Sequence, residues 1–428
     1  MIVLILSMII LLVLGVRVAY SIGISTLIYI VFFTNISPLV IVQQITAGAD
    51  SLVLLAIPFF LLAGEVMNAS GITHRLVRLS LAILGNARGG LSYVVILVNI
   101  MMAMVSGAAI ASAAAVGSTM IPEMEKKGYP KGYAAAVNAA AATIGPVIPP
   151  SIGFIIYASL SGASVGRLFV AGMLPGLLIG LIIMTICFFV ARKKDLPLGE
   201  DRDWGELKSS FNNAIWSLLM PVIILGGILT GIVTPTEAGV LAVVYALIVG
   251  LFIHKDLLIK DLVPILVRAG RQTAIIMIII ACSSAFGFLI VREIPQEAFL
   301  ESFVMFKGNS VLLLFTLTAL ILVLGMVMEG GSIMIILTPL LLPILNQYNI
   351  DLVHFGVVFQ LAIMIGLLTP PVGILLFVVS SAGNVDVKEI MGNIWPFYIG
   401  LFIVLVLAVV FPEISLFLVE FFEGNLSS

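Results

Sequence analysis

The sequence predicts an all-α polytopic membrane protein of two inverted structural repeats, each containing a re-entrant helical hairpin and a proline-broken helix. The first supporting observation is composition: the 428 residues are 61% hydrophobic and only 10% charged, whereas soluble domains carry about 25% charged residues. The second is that apolar runs approaching the roughly 20 residues of a bilayer span recur along the chain. The third is that small residues and proline pairs interrupt these runs at matching places in the two halves of the chain.

The N-terminal sequence MIVLILSMII is interpreted as the first membrane helix. It has no basic segment before the apolar run and no small-residue cleavage site before the next run, so we expect no cleavable signal peptide. The recurrent runs predict a multi-pass protein of the bacterial inner (cytoplasmic) membrane, surrounded by the lipid bilayer. The net charge of −2 says little about partners, and because no basic patch is present, no nucleic-acid partner is expected.

The first repeat is predicted to span residues 1–190, with the hairpin at 98–122 and the broken helix at 133–158. The hairpin is centred on Ser106–Gly107, a small-residue break between two short apolar segments. A chain that turns back at membrane depth is tolerated where its unpaired backbone groups face protein or water. The broken helix contains GPVIPPS at 145–151, and one proline inside a helix already costs about 3 kcal/mol.

Residues 191–210 are predicted to form the aqueous loop that connects the repeats, because they are the longest strongly charged stretch. Arg192, Lys193 and Lys194 directly follow an apolar run. Basic residues concentrate in cytoplasmic loops, so this end of the run is expected on the cytoplasmic side.

The second repeat is predicted to span residues 211–428, with the hairpin at 312–345 and the broken helix at 355–380. Its hairpin break is MEGGS, which ends at Ser332, and its helix break is GLLTPPVG at 366–373. Both breaks therefore have counterparts in the first repeat.

The match between the halves extends beyond the two breaks. The spacing that separates Pro149–Pro150 from Pro370–Pro371 also separates Pro122 from Pro343 and Pro175 from Pro396. Because glycine and proline are common in membrane helices, one coincidence would mean little. A register that holds from Pro122 to Pro175, over more than about 50 positions, indicates two homologous halves.

The proline breaks supply oxygen ligands. A helix that ends without partners for its last carbonyls carries about half a negative charge there. Carbonyls of 145–148 with a hydroxyl such as that of Ser106, and carbonyls of 366–369 with Gly325 or Ser332, are therefore predicted to cage a hard cation. Half-helix N-termini beyond the breaks are expected to face an anionic substrate. The alternative is that the prolines only kink packed helices.

The chain resembles a known family in long, specific motifs. Residues 106–178, beginning SGAAIASAAAVGSTMIPEM, look like the signature of the large membrane (M, DctM-type) subunit of tripartite ATP-independent periplasmic (TRAP) transporters. GIVTPTEAG at 231–239 and the segment VHFGVV…GLLTPPVGILLFVVS at 353–380 match it too. The resemblance implies a sodium-driven importer of organic acids that works with a small four-helix membrane subunit and a periplasmic substrate-binding protein. It also implies an elevator mechanism, in which a transport domain slides against a static scaffold.

The resemblance assigns site residues by position, with two or more Na⁺ as coupling ions. The first sodium site would use Ser106, Gly145 and Ile148. The second would use Gly325, Gly366, Thr369 and Val372. The substrate-binding candidates lie at the hairpin tips and around the first break: Ser106, Asn138, Pro149, Ser151, Gly330, Gly331 and Ser332. Because Ile148 occupies the place of Thr369, the two cages are not expected to be equivalent.

The substrate is predicted to be N-acetylneuraminate (sialic acid), because the MEGGS tip suits a bulky acid in a roomy polar site. The alternatives are import of C4-dicarboxylates or of other sugar or keto acids, and a stand-alone Na⁺/dicarboxylate symporter that needs no binding protein.

No enzyme is predicted. The sequence contains no nucleophile constellation, P-loop or HExxH motif, and a channel would require a continuous pore instead of occluded cages. Ionisable residues at membrane depth are functional candidates by default. Here Glu65, Glu237 and Arg292–Glu293 are interpreted instead as helix-end or scaffold residues.

Overall fold

The protein is described by a computed structural model that covers residues 2–199, 203–293, 306 and 308–426. Within these ranges the regular structure is helical, in nineteen α-helices. They are α1 (Ile2–Val13), α2 (Val18–Phe33), α3 (Leu39–Ala49), α4 (Ala56–Ala69), α5 (Ile72–Leu84), α6 (Gly90–Ser106), α7 (Ala109–Lys126), α8 (Lys131–Ala142), α9 (Ile152–Ser161), α10 (Val165–Lys193), α11 (Trp204–Leu229), α12 (Pro235–Ile248), α13 (Ile259–Glu293), α14 (Ser310–Gly325), α15 (Gly330–Gln347), α16 (Leu352–Leu368), α17 (Ile374–Gly383), α18 (Val387–Val410) and α19 (Glu413–Leu426).

Six helices of the described chain are long and apolar enough to cross a membrane: α10, α11, α12 with its π-helical continuation at Val249–Ile253, α13, α15 and α18. The pair α4 and α5, bent by 68°, would add a seventh. The described chain also contains shorter apolar helices of 10–17 residues. The predicted all-α polytopic membrane fold is confirmed.

The first hairpin consists of α6 and α7, joined at Gly107 and Ala108. Gly107 has a φ of 59°, a left-handed conformation that favours glycine. The broken helix consists of α8 and α9, separated by residues 143–151. The two helix pairs contain the predicted ranges 98–122 and 133–158, and α6 begins well before residue 98, at Gly90.

The second half repeats this order. Helices α14 and α15 form the hairpin, and α16 and α17 form the broken helix. The peptide bonds Pro149–Pro150 and Pro370–Pro371 are both cis. The division of the chain into repeats at 1–190 and 211–428 stays a prediction.

Two groups of packed helices can be distinguished around the breaks, while α5 and α10, which also contact α6, belong to neither. In the α13 group, α13 packs along α2, α3 and α4, and α4 packs along α12. In the break group, which comprises α6–α9 and α14–α18, α8 packs against α7 and α18, and α14 packs against α16. The groups meet where α13 contacts α15 and where α4 contacts α6 and α9.

Two acidic residues have the structural roles that the sequence indicates. The Glu65 carboxylate on α4 lies 2.9 Å from Nε of Arg268 on α13, so it forms an ion pair within the α13 group. The Glu237 carboxylate accepts a hydrogen bond of 2.7 Å from the backbone N–H of Thr234, which completes a capping box at the start of α12. Each carboxylate therefore stabilises the packing or the start of a helix.

Candidate ion and substrate site at the helix breaks

The first break is a buried segment with unpaired backbone oxygens. Residues 143–151 are all buried. The Ile144 carbonyl accepts N–H groups from Val147 at 3.0 Å and from Ile148 at 3.1 Å. Among the described residues, however, no donor reaches the carbonyl oxygens of Gly145, Val147 or Ile148. Because a buried carbonyl without a partner is costly, these oxygens are suited to binding a hard cation, which prefers oxygen ligands.

The tip of the first hairpin lies directly against this break. A Cβ atom at Gly107 would lie 2.1 Å from the carbonyl oxygen of Pro150, and one at Gly145 would lie 3.2 Å from the backbone N of Ala109. The hydroxyl of Ser106, one residue before the turn, donates to the Met102 carbonyl at 3.1 Å. The structure therefore brings Ser106 and Gly145, two of the predicted sodium ligands, to the same contact between hairpin and broken helix.

Ile148 can bind an ion only through its backbone, because its side chain is packed away. A Cβ atom at Gly176 on α10 would lie 2.4 Å from Cγ1 of Ile148, so the hydrocarbon chain is packed against α10. Only the backbone carbonyl of Ile148 remains as a possible ligand. Its role, like that of the other predicted ligands, stays a prediction.

Pro149 and Ser151, the predicted substrate residues at the end of the first break, serve the local structure. Ser151 caps α9: its hydroxyl accepts the Phe154 N–H at 3.2 Å and donates to the Pro146 carbonyl at 2.6 Å. Pro149 lies buried beside it. The first turn of α9 therefore begins at a fixed, capped residue.

Asn138 ties α8 to both arms of the first hairpin. Its Nδ2 donates to the Ala113 carbonyl on α7 at 2.9 Å, and its Oδ1 accepts from Nδ2 of Asn99 on α6 at 3.2 Å. The residue is fully buried. This amide positions the hairpin relative to the broken helix, and its predicted contact with substrate is untested.

In the second break, two predicted ligands touch through their backbones. A Cβ atom at Gly366 would lie 2.7 Å from Cα of Gly325, and one at Gly325 would lie 3.0 Å from Cα of Gly366. The Thr369 hydroxyl donates to the Ile365 carbonyl at 2.7 Å. The N–H of Val372 donates to the Met326 carbonyl of the hairpin at 3.2 Å. Hairpin and broken helix are thus joined here as in the first half.

The two breaks differ in burial. Residues 370–372 are exposed and Thr369 is half-buried, whereas the whole first break is buried. Thr369 and Pro370 line a groove of about 720 Å³ together with Trp395 and Tyr398 on α18. The Tyr398 hydroxyl donates to the Leu368 carbonyl. The second cage therefore has a more open side.

The second hairpin tip extends towards the first broken helix. Glu329 caps α15 by accepting the Ser332 N–H at 3.3 Å. A Cβ atom at Gly330 would lie 2.6 Å from the Ile363 side chain, and one at Gly331 would lie 3.6 Å from Cδ1 of Ile156 on α9. The predicted substrate residues of this tip therefore lie between α16 and α9.

Two site residues have no clear sequence signal. Ser112 places its hydroxyl 3.1 Å from that of Ser106, and only its position six residues later in SGAAIAS points to it. The residue of the first half that corresponds to Tyr398 is not a tyrosine, so the repeat does not point to Tyr398.

Comparison with known proteins shows that the chain is similar to components of transporters. Residues 5–414 match the family described as "Tripartite ATP-independent periplasmic transporter, DctM component". A putative TRAP transporter large permease protein of Haemophilus influenzae (strain Rd) is 40% identical over 409 residues, covering 94% of this chain and 95% of that protein. The sialic acid TRAP transporter permease protein SiaT of Haemophilus influenzae (strain 86-028NP) is 36% identical over 94% of this chain and 65% of that protein.

Other relatives carry other substrates in their names. The C4-dicarboxylate TRAP transporter large permease protein DctM of Pseudomonas aeruginosa is 37% identical over 92% of this chain and 93% of that protein. Among solved structures, the chain resembles the Alcanivorax borkumensis YdaH transporter, with a TM-score of 0.59, 16% identity and 87% of each chain covered. At this identity the likeness concerns the fold alone.

Proposed function

The chain belongs to the DctM component family of tripartite ATP-independent periplasmic transporters, and on that basis we propose that it is the large permease subunit of a sodium-coupled, binding-protein-dependent importer of an organic acid. Members are transporter permeases of the inner membrane and not enzymes. Large permeases of this family work with a small membrane subunit and a periplasmic binding protein. What is proposed for this chain is the coupling ion, the substrate and the mechanism.

Sodium coupling is supported by the unpaired carbonyls of Gly145, Val147 and Ile148 in the buried first break. Unwound helix carbonyls at membrane depth are the usual ligands of coupling Na⁺ in secondary transporters. Each Na⁺ that moves down a 100 mV potential supplies about 2.3 kcal/mol before its concentration gradient is counted. Two or more ions therefore suffice to drive uptake of a monoanion against its gradient.

N-acetylneuraminate is the proposed substrate. The second hairpin tip consists of two glycines, Gly330 and Gly331, which carry no side chains, and it lies between α16 and α9. In addition, one relative is named for sialic acid. The second candidate is a C4-dicarboxylate or a sugar-derived keto acid, because other relatives are named for C4-dicarboxylates and for 2,3-diketo-L-gulonate. The alternative kind of transporter is a stand-alone Na⁺/dicarboxylate symporter, which needs no binding protein.

The elevator mechanism is supported by the packing of the helices in two groups. Both hairpins and both broken helices belong to the break group. Sliding of this group along the α13 group would carry the sites across the membrane without taking the ion ligands apart.

Reconstitution of the purified chain in proteoliposomes tests the proposal. With the small subunit and the binding protein present, we expect uptake of N-acetylneuraminate above that of succinate or 2,3-diketo-L-gulonate, and no uptake when either partner is left out. Preferred uptake of succinate would contradict N-acetylneuraminate as the substrate and identify a C4-dicarboxylate instead. Full uptake by the chain alone would favour the stand-alone symporter and contradict the tripartite assignment.

Replacement of the two hydroxyl ligands tests the sodium sites. Ser106→Ala and Thr369→Ala are each expected to raise the Na⁺ concentration for half-maximal uptake by roughly 10- to 100-fold, because a hydrogen-bonding or ligating group lost next to a charge costs roughly 1.5–3 kcal/mol. The matched controls are Ser118→Ala on α7 and Thr316→Ala on α14, whose exposed hydroxyls bond only to their own helices. An unchanged sodium dependence in Ser106→Ala and Thr369→Ala would remove both residues from the sites.

A further inference from the structure

A second cavity lies between the α13 group and the break group and shares no lining residue with the two helix breaks. Its volume is about 720 Å³. Helices α3 and α13 form one wall, and α9 and α15 form the other. Its polar lining residues are Gln44, Ser51, Ser159, Ser283, Ser284 and Arg292.

The charge that the described residues give this cavity is positive. Among them, Arg292 is the only charged residue that lines the cavity, and none of the described lining residues is a carboxylate. The neighbouring Glu293 accepts a hydrogen bond from the Tyr29 hydroxyl at 3.2 Å. No ion pair joins the Arg292 guanidinium to a carboxylate of the described chain.

The hydroxyl of Ser283 adds an independent indication of a ligand. Ser283 is only 2% exposed, and its Oγ has no hydrogen-bond partner among the described residues. Buried hydroxyls are normally paired. A ligand that carries its own hydrogen-bonding groups would satisfy this one while its acidic group binds the arginine.

The cavity lies on the side from which an imported acid arrives. The end of α10 at Arg192–Lys194 is cytoplasmic by its charge. The start of α13 lies at that same end, because the loop before it is joined to α5 by the Arg75–Asp256 ion pair and α5 to α11 by Arg78–Glu206. The other end of α13, with Arg292, is therefore extracytoplasmic.

Few basic residues lie at the extracytoplasmic end of the described chain. Of the Lys and Arg residues that the structure describes, only Arg167 and Arg292 lie at the extracytoplasmic end. Arg167 pairs with Glu423 at 3.0 Å. Arg292 thus remains available to an incoming anion.

We propose that this cavity is the entry site for the organic acid, in which the Arg292 guanidinium binds the carboxylate and the surrounding Ser and Gln side chains bind its hydroxyl groups. The proposal rests on the proposed function as an acid importer. Guanidinium groups pair with carboxylates through two parallel hydrogen bonds. Because the two walls belong to different helix groups, an acid bound here contacts both groups before the break group moves.

Uptake kinetics test the entry site in the complete reconstituted system at saturating Na⁺. Arg292→Gln is expected to raise the apparent KM for N-acetylneuraminate about tenfold, since it removes a charge-assisted hydrogen bond, and to leave the maximal rate within about twofold. Arg292→Lys is expected to recover part of the loss because it restores the charge but not the planar fork. Arg167→Gln is the matched control. An unchanged KM in Arg292→Gln would overturn the proposal.

A labelling experiment tests the cavity independently of transport. In a chain with Cys187 and Cys282 replaced by serine, Ser159→Cys is reacted with the anionic reagent MTSES and the cationic reagent MTSET. Adding Arg292→Gln is expected to lower the ratio of the two rates, MTSES over MTSET, about fivefold, because a nearby charge sets the local concentration of ions. Arg167→Gln should leave the ratio unchanged.

The two experiments separate the two claims. A wild-type complex that transports no organic acid would overturn the proposed function, whereas the charge ratio would still be measurable. A ratio that is insensitive to Arg292 would overturn the entry site, even in a complex that transports N-acetylneuraminate.

Discussion

Replacing Gly366 by alanine is expected to reduce sodium-dependent uptake on the order of 100-fold, the loss that a misplacement of about 1 Å causes in an assembled site. The added Cβ atom would lie 2.7 Å from Cα of Gly325 and 2.7 Å from the carbonyl oxygen of Leu322. Both obstacles are backbone atoms and cannot rotate away. The second hairpin therefore has to move away from the second broken helix, which separates two predicted sodium ligands.

The matched control is Gly392→Ala. Gly392 is also a helical glycine, on α18, but a Cβ atom there meets no atom within 4 Å. Uptake and thermal stability should stay at wild-type values in this variant, or rise slightly because alanine favours the helix. The measurement is uptake against Na⁺ concentration for both variants. Wild-type behaviour of Gly366→Ala would show that the close glycine contact is not needed.

Replacing Gly107 by alanine is the second change with a large expected effect. The residue adopts a φ of 59°, which costs a residue with a side chain roughly 1–2 kcal/mol. In addition, the new Cβ atom would lie 2.1 Å from the carbonyl oxygen of Pro150. The first hairpin tip would be displaced from the buried break, so we expect loss of uptake together with a lower midpoint of thermal unfolding.

Gly162→Ala separates the two causes. Gly162 has a φ of 75° but open space around its Cβ position, so alanine there has the backbone strain without the clash. We expect a stability loss of roughly 1–2 kcal/mol with uptake retained. If Gly107→Ala behaves like Gly162→Ala, the contact between hairpin tip and break is not required for transport.

The positions of the breaks were predictable from the sequence because glycine and proline act locally. Proline removes an N–H donor wherever it stands. Single prolines lie inside α7, α10 and α18, whereas the paired prolines of GPVIPPS and GLLTPPVG lie where the helices are interrupted. The turns at Gly107 and before Gly330 follow from the same kind of signal. The helices found in the structure accordingly contain each predicted hairpin and broken helix.

The difference in burial between the breaks was not predictable, because it depends on α10 and α18. Gly172 and Gly176 let α10 approach the first break, where added Cβ atoms would lie 2.2 Å from the Val147 carbonyl oxygen and 2.4 Å from Ile148. At the spacing that relates the prolines, α18 carries Asn393 and Phe397. Phe397 packs against Tyr133 on α8 and not against the second break, which stays partly exposed.

The role of Asn138 was also beyond local reasoning. Its sequence position suggests a lining residue, whereas its two hydrogen bonds reach Ala113 and Asn99 on different helices. Arg292 is similar: the sequence indicates a helix-end residue, and only the packing of α3, α9 and α15 around it forms the cavity that it lines.

Sodium dependence of uptake by the complete reconstituted transporter tests the central claim most directly. The proteoliposomes contain the chain, the small subunit and the binding protein loaded with N-acetylneuraminate, and the membrane potential is held constant while external Na⁺ is replaced by K⁺. If the buried carbonyls of the first break and the second break hold coupling sodium ions, uptake falls to the level of empty liposomes and returns when Na⁺ is restored. Undiminished uptake in K⁺ would contradict the account.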